Sequence, residues 1–179
     1  MVTHRQPDSG GNYSYTVSEY DVEFIMMNAN DPRYPQSIFG AYTGDYGDPA
    51  NIPLYVRDVN GMQIKGIPKN KGVLWGVYEW DTGVGNFRYR NMLSMTGEYF
   101  SHEFVREYDE VPDMQRWDMR LTWTNPDQSM KVSAFVENVL DDTQVRRVTV
   151  GGEGSNWRQG GTSLYPRFFG IDATWMFGQ

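Results

Sequence analysis

The sequence predicts an all-β fold, an antiparallel up-and-down meander of about six strands. Three observations predict it: apolar and polar residues alternate within segments of strand length, short and long connections alternate along the chain, and charged residues keep to one face of the strands. Apolar residues do not recur at the helical spacing of three and four, and Gly, Pro, Asn and Asp interrupt the windows of helical length. We therefore expect strands throughout and no helix.

The last predicted strand has the clearest alternation. Its residues of one parity are wholly apolar and end on an aromatic: Phe169, Ile171, Ala173, Trp175 and Phe177. Because successive side chains of a strand point to opposite faces, this segment has one apolar face and one mixed face. Five similar but weaker segments precede it. The six predicted strands are residues 12–24, 70–80, 86–101, 116–124, 130–138 and 166–177.

The connections between these strands alternate in length. Residues 81–85 and 125–129 are tight turns rich in Gly, Pro, Asn and Asp, whereas 25–69, 102–115 and 139–165 are long loops. In an up-and-down meander, successive connections lie at opposite ends of the sheet. We therefore expect every short turn at one end and every long loop at the other.

Charges follow the same period of two. In the last four strands they are Arg88, Arg90 and Glu98; Arg116, Asp118 and Arg120; Lys131 and Glu137; and Asp172. Apart from Arg167 at the start of the last strand, each strand confines its charges to one parity, which has a chance of roughly 1 in 32 in a random pattern. One face of the sheet is therefore predicted to be free of charge. A soluble barrel or sandwich would bury that face, so parity alone leaves its environment open; its density of Trp and Tyr favours lipid.

Composition excludes several classes of protein. With 39% hydrophobic and 15% aromatic residues, the 179-residue chain is too apolar for disorder. A net charge of -7 and a pI near 4.8 argue against a nucleic-acid partner, since binding phosphates needs a basic patch. Cysteine is absent, so no disulfide framework is predicted. The first eleven residues lack a basic and an apolar signal region, so we expect a longer parent protein or a missing mature start.

No enzymatic site is predicted, and we expect neither a cofactor nor a metal. The two histidines, His4 and His102, have no neighbouring nucleophile or ligand set. The glycine-rich segment 151–155 lacks the lysine and the strand-to-helix context of a phosphate loop. Two acidic pairs, in 45–48 and 141–142, lack the template of a calcium loop.

Three motifs near the C-terminus resemble those of TonB-dependent outer-membrane receptors. Residues 138–141, Asn-Val-Leu-Asp, resemble the family's Asn-Leu-Phe-Asp motif after the penultimate strand. Pro166-Arg167 followed by Gly170 resembles the Pro-Arg-x-x-Gly start of the last strand. The aromatic ending resembles the signal that the barrel-assembly machinery reads. Residues of that assembly signal are Gly170, Trp175 and Phe177. A weaker resemblance covers residues 60–71.

This resemblance implies a fold and a location. Residues 12–179 are expected to be the C-terminal segment of a transmembrane β-barrel in the outer membrane of a Gram-negative bacterium, after a poorly ordered start in residues 1–11. The family fills a 22-stranded barrel with an N-terminal plug whose extension carries the energy-coupling box. Neither is in this sequence, and six strands cannot close a barrel. Coupling to the TonB complex would therefore use a part outside the sequence.

The resemblance also implies a function, the uptake of a scarce ligand such as a ferric siderophore. Expected partners are the TonB complex, the assembly machinery, outer-membrane lipid and a small-molecule ligand. Aromatic and basic loop residues are the candidate ligand contacts, because stacking and charge suit anionic or aromatic ligands. They are Tyr34, Tyr42, Tyr46, Tyr55, Arg57, Arg146, Arg147, Trp157 and Arg158. The alternatives are a small complete outer-membrane barrel with a structural or adhesion role, and a soluble β-sheet binding module.

Overall fold

A computed structural model of the chain describes residues 3–4, 7–21, 25–27, 56–103, 105, 109–150 and 158–177. Among these residues, no helix has the length and apolar character needed to cross a membrane. The strands are β1 (Thr3–His4), β2 (Asp8–Tyr15), β3 (Ile25–Met27), β4 (Val56–Asp58), β5 (Asn70–Thr82), β6 (Gly85–Thr96), β7 (Tyr99–Phe100), β8 (Glu110–Val111), β9 (Met114–Thr124), β10 (Met130–Glu137), β11 (Val145–Val150), β12 (Gln159–Ser163) and β13 (Phe168–Trp175).

One antiparallel sheet contains the long strands. Its order is β1-β5-β6-β9-β10-β13, and β2 also pairs with β5. Thr3 lies opposite Asp81 and Asp8 lies opposite Val77, so β1 and β2 run along the same edge of β5. The sheet is therefore six strands wide, and the predicted all-β meander is confirmed. In the part of the chain that the structure describes, β2 and β13 are its two open edges.

The boundaries of the first predicted strand, residues 12–24, are wrong. The observed strand begins at Asp8, because residues 8–11 pair with β5, and it ends at Tyr15. After that point the chain bonds to a loop instead: the amide of Thr16 donates to the Lys69 carbonyl at 2.8 Å. The expectation that the start before the barrel segment is poorly ordered stays a prediction.

The long loops carry short hairpins that the sequence pattern did not predict. β3 pairs with β4, β7 with β8, and β11 with β12. The strand predicted over residues 86–101 is therefore observed only as far as Thr96, and Tyr99 belongs to a separate hairpin. Glu98 lies between the two strands, outside the sheet. The three hairpins all lie at the end of the sheet that carries the long connections.

The observed register tests the predicted separation of charge. Phe87 lies opposite Trp123, which lies opposite Val132, which lies opposite Ala173, so the apolar parities of four strands share one face. We call this the charge-free face. The opposite, charged face carries Asp8, Lys71, Glu79, Asp81, Arg88, Arg90, Arg116, Asp118, Arg120, Lys131, Glu137 and Asp172. The prediction is confirmed, and β5 extends it, because Glu79 pairs with Arg88.

The charge-free face is exposed. Ile171 is 78% exposed, Phe169 72% and Leu74 53%. The buried apolar residues of the described chain lie elsewhere. Val111, Met114 and Leu164 form a small cluster between the hairpins at the long-loop end, and Val59 directly follows β4. A soluble sandwich would bury its apolar face beneath a second sheet, and no described element packs there.

Both predicted short turns are observed. Residues 83–84 connect β5 to β6, and Trp123 of β9 donates its indole N–H to the Val84 carbonyl at 3.0 Å. Gly85 has a φ of 135°, and an added Cβ there would collide with the carbonyl oxygen of Thr124. This turn therefore requires glycine, because a side chain would force β6 and β9 apart.

Asn138 directly follows β10 and links it by hydrogen bonds to β9 and to the residues before β13. Its φ is 53°, in the left-handed region that asparagine tolerates better than most residues, and its side chain is only 2% exposed. The amide nitrogen Nδ2 donates to the carbonyls of Asp142 and Tyr165, both at 2.8 Å. Its backbone N–H donates to Asp118 on β9 at 2.9 Å. We call these contacts the Asn138 clasp.

Replacing Asn138 tests the clasp. N138A leaves the two carbonyls without their donor and places a Cβ-bearing residue at positive φ, so we expect a loss of about 2–4 kcal/mol in the free energy of unfolding. N138G loses the same hydrogen bonds but adopts the φ freely, so its loss should be smaller. Urea unfolding of the folded protein in detergent measures both. Losses within about 0.5 kcal/mol of the parent in both variants would show that the clasp is not structural.

Candidate functional site

The charged face holds a fork of one arginine and two carboxylates near the long-loop end. Arg116 donates from Nε to Asp118 at 2.9 Å and from Nη2 to Glu137 at 2.9 Å. Asp118 lies on the same strand two residues on, and Glu137 is on the neighbouring β10. Because Asp118 also accepts the Asn138 amide, this fork is part of the clasp.

A second ion pair spans β9, β10 and β13. Arg120 Nη1 lies 2.7 Å from Asp172 Oδ2, and its guanidinium carbon lies 4.6 Å from the centre of the Phe135 ring. Phe135 in turn covers Gly170, where an added Cβ would be 2.7 Å from the ring. Gly170 therefore lets the ring lie flat across β13, which places the cation between an aromatic face and a carboxylate.

A third pair, Glu79 with Arg88 at 3.1 Å, links β5 to β6. With Lys131 and Asp172 these residues line a groove of about 360 Å³ on the charged face. The groove is floored by Ser133, which is 3% exposed and shares a hydrogen bond of 3.0 Å with Thr122. This surface suits a polar, mixed-charge partner.

The hairpins at the long-loop end pack on one another. Tyr99 of β7 contacts the buried cluster, and its hydroxyl donates to the backbone carbonyl of Arg146 on β11. Burial raises the pKa of the Tyr99 phenol above its ordinary value, against a smaller effect of the Arg146 charge. These contacts hold the base of the β11–β12 hairpin.

A second link joins the segment before β5 to the segment after β7. Glu103 forms ion pairs with Lys65 and, at 3.3 Å, with His102 Nδ1. Burial alone would raise the pKa of the Glu103 carboxyl, but the Lys65 hydrogen bond and the neighbouring positive charges lower it overall. Gly66 adds a backbone hydrogen bond of 2.8 Å to Phe100.

Three of the candidate ligand contacts have described side chains. Arg146 and Arg147 are exposed on β11, and Arg158 is exposed just before β12. Arg147 pairs with Thr162, so Arg158 is about 13 Å away along the strand and the structure does not bring it to the pair. Arg57 lies on β4, of which the structure describes the backbone. Outside the described residues lie Tyr34, Tyr42, Tyr46, Tyr55 and Trp157.

The candidate assembly signal lies on the open edge strand or just beyond it. Trp175 is 59% exposed and Phe177 87%, and their rings stack at 6.4 Å. Gly170, the third residue of the signal, lies beneath the Phe135 ring. Both aromatic residues extend the charge-free face to the end of the sheet that carries the short turns, because Trp175 lies opposite Met130, the first residue of β10.

The acidic pair at residues 141–142 accepts hydrogen bonds from backbone amides. Asp141 accepts the Arg167 amide at 2.8 Å and lies 3.4 Å from its guanidinium. Asp142 accepts the amides of Gln115 at 2.7 Å and Gln144 at 3.0 Å. In the part of the chain that the structure describes, no cluster of three acidic or histidine side chains could hold a metal ion.

Sequence reasoning missed the partners of the charged residues. The fork at Arg116, the Arg120–Asp172 pair and the Lys65–Glu103 link join residues 2 to 52 positions apart. A signal was present for the first two, because their oppositely charged residues lie on the same face of the sheet, where such residues pair once the register is known. Nothing in the local pattern predicts the third.

Comparison with known proteins bears on the fold. No protein-family model matches the chain, and no curated protein sequence does. The structure is similar to the ferric yersiniabactin uptake receptor FyuA from Yersinia pestis, with a TM-score of 0.58 and 16% identity, over 65% of this chain and 17% of that one. The sheet has the fold of part of a TonB-dependent receptor barrel.

A second structure supports the same fold. The ferric citrate transporter FecA in its unliganded form matches with a TM-score of 0.50 and 17% identity, over 67% of this chain and 19% of that one. The matched part of the chain therefore spans less than a fifth of either TonB-dependent receptor. By their names, these two proteins are an uptake receptor and a transporter.

The pKa of Asp141 gives a test of its contact with Arg167. The Arg167 amide and guanidinium lower this pKa below the ordinary value of 3.8. The carboxylate therefore contributes its full stability above about pH 4 and loses it as the pH falls through the lowered pKa. In D141N, which keeps an acceptor oxygen but no charge, we expect a smaller loss of stability between pH 4 and pH 2.5.

Urea unfolding midpoints across this pH range measure the effect. D113N is the control, because Asp113 is an exposed residue in the loop between β8 and β9. Equal acid dependence in D141N and the parent would contradict a structural role for the Asp141 charge.

Proposed function

We propose that the chain is the C-terminal barrel part of an outer-membrane receptor that takes up a scarce ligand, such as a ferric siderophore, with energy from the TonB complex. The supporting observation is the two-faced sheet. Every charged residue in the described paired strands of the main sheet lies on one face, and the other face is apolar and exposed. A membrane-spanning barrel needs this arrangement, with lipid on one side and a polar interior on the other.

The direction of the chain follows from the proposal. If the C-terminal residue lies on the periplasmic side, the two short turns are periplasmic and the three hairpin-bearing loops are outside the cell. The aromatic residues Trp175 and Phe177 then lie near the periplasmic interface, where aromatic side chains of barrels concentrate. They are also where the assembly machinery would read the terminal signal.

The extracellular hairpins are the proposed ligand-contact region. Arg146 and Arg147 are exposed on a hairpin whose base is fixed by Tyr99, so their guanidinium groups are presented by a supported element. Such groups suit an anionic or aromatic ligand through charge and stacking. Energy coupling is assigned to a part of the receptor beyond these 179 residues.

A matched pair of substitutions tests the lipid contact. Leu93 lies on the charge-free face between Leu74 and Trp117, whereas its neighbour Met92 lies on the charged face opposite Asp118. We expect L93K to destabilise the barrel by about 2–4 kcal/mol, because lysine faces the bilayer. M92K removes a side chain of similar size but gains an anionic neighbour, so its cost should be much smaller.

The measurement is the amount of folded, heat-modifiable receptor in outer membranes and its midpoint in urea. Equal losses in the two variants would mean that neither face meets lipid, as in a soluble sheet.

The size of the native polypeptide tests the receptor assignment. An antibody against residues 117–131 should detect a band several times larger than 20.7 kDa in an outer-membrane preparation. A heat-modifiable band at 20.7 kDa would indicate a small complete barrel with a structural or adhesion role. A band confined to the soluble fraction would indicate a soluble β-sheet module.

A further inference from the structure

Asn91 is a polar residue at the centre of the charge-free face. The β6 side chains on that face are, in order, Phe87, Tyr89, Asn91, Leu93 and Met95. Asn91 is the middle one, and across the sheet it lies between Gly76 of β5 and Met119 of β9. If this face meets lipid, as proposed above, the Asn91 carboxamide lies near the middle of the hydrocarbon layer.

The carboxamide of Asn91 has unused hydrogen-bonding capacity. Its Nδ2 has one acceptor, the Gly76 carbonyl oxygen at 3.4 Å, which is long for a hydrogen bond. Among the described residues, none donates to its Oδ1. An asparagine side chain can donate two hydrogen bonds and accept two. Lipid tails offer no partner for these groups, so leaving them unpaired in hydrocarbon is costly.

The space beside Asn91 admits a partner from outside the sheet. Gly76 has no side chain, and a Cβ there would lie 3.2 Å from Asn91 Nδ2 and 3.9 Å from the Cβ of Ser9 on β2. Asn91 and Ser9 therefore border a recess above the Gly76 backbone. Ser9 is exposed, and in the part of the chain that the structure describes its hydroxyl has no hydrogen-bond partner. We call these three residues the Asn91 patch.

The Asn91 patch occupies only one side of the charge-free face. In the same row, β9, β10 and β13 carry the apolar residues Met119, Val136 and Phe169. That side suits lipid, whereas the patch combines two polar side chains with a glycine. Small residues on a membrane-facing surface let a second protein approach the backbone closely. The difference between the two sides favours protein rather than lipid over the patch.

We infer that the Asn91 patch is a contact between two copies of the receptor within the membrane. A second copy is the occupant because a carboxamide is complementary to itself. Around a two-fold axis beside residue 91, each Asn91 donates from Nδ2 to the Oδ1 of the other copy. An axis perpendicular to the bilayer keeps both copies in the same orientation. This inference rests on the proposed function, because only a membrane-spanning barrel places Asn91 in hydrocarbon.

Association of the full-length receptor in lipid vesicles tests the contact. Energy transfer between donor-labelled and acceptor-labelled copies, followed as the protein is diluted in lipid, gives the dissociation constant of the dimer. N91L replaces the carboxamide with an apolar side chain of similar size. We expect it to weaken association roughly tenfold, as the loss of two hydrogen bonds in a membrane implies. V136L, an apolar exchange in the same row two strands away, is the control and should leave the dissociation constant unchanged.

Disulfide trapping locates the two-fold axis. In a receptor whose other parts are free of cysteine, oxidation of N91C in outer membranes should join two copies, because the axis brings both residues 91 together. V136C is the matched control on the same face. It should stay monomeric, since β10 lies about 10 Å from β6 and the two residues 136 are farther from the axis.

Three results would overturn the inference: an unchanged dissociation constant in N91L, equal trapping of N91C and V136C, or a receptor that is monomeric at every dilution. A disulfide between N91C and a different outer-membrane protein would also overturn it, because the occupant would then not be a second copy.

Failure of the proposed function gives a different set of results. Equal losses in L93K and M92K, or a polypeptide confined to the soluble fraction, would remove the lipid-facing surface itself. A membrane-embedded receptor that passes those tests and remains monomeric would remove only the contact between copies.

Discussion

The register of the central strands is the constraint on which the rest of the structure depends. Side chains alternate with a period of two, so a slip of one residue between β9 and β10 would move every charge of one strand onto the apolar face. The Asn138 clasp works against such a slip. It joins β10 to the Asp118 side chain of β9 and to the Tyr165 carbonyl just before β13, all at one end of the sheet. One buried asparagine at positive φ therefore helps to align three strands.

The same alignment explains two residue choices that a strand pattern alone does not require. Gly170 of β13 lies beneath the Phe135 ring, and Gly85 at the first turn lies against the Thr124 carbonyl. At Gly85 a side chain would push β6 and β9 apart, and at Gly170 it would displace the Phe135 ring. The glycines allow, and the ion pairs stabilise, the close pairing of β6, β9, β10 and β13 in one register. That register keeps one face free of charge.

The sequence predicted the meander, the short turns and the separation of charge because these follow from local rules. Alternation is visible within a single strand, and residues such as Gly83 and Pro126 mark turns without knowledge of the partner strand. The hairpins at the long-loop end were missed because their strands are two to six residues long, too short for a clear alternation. The first strand was misplaced because the Ser, Gly and Asn residues before Tyr13 lack the apolar pattern, and their pairing depends on β5.

The candidate site was less predictable for a related reason. The motif at residues 138–141 was recognised as a resemblance, yet its physical role depends on carbonyls up to 27 positions away. Ion pairs across strands require the register, which the sequence gives only as parity. Five of the proposed ligand contacts lie outside the described residues, so their role rests on residue chemistry alone. The charged face itself, with the Arg116 fork and two further ion pairs, became visible only once the strands were aligned.

The central claim is that one face of this sheet meets lipid and the other meets a polar interior. Residues 1–179 contain no cysteine, so in a receptor whose remaining parts are also made free of cysteine, single cysteines at residues 117–123 of β9 would carry the spin labels in bilayers. Collision with oxygen, which concentrates in lipid, should be high at the odd positions, and collision with a water-soluble nickel complex should be high at the even ones. An absence of alternation, or the opposite phase, would contradict the account.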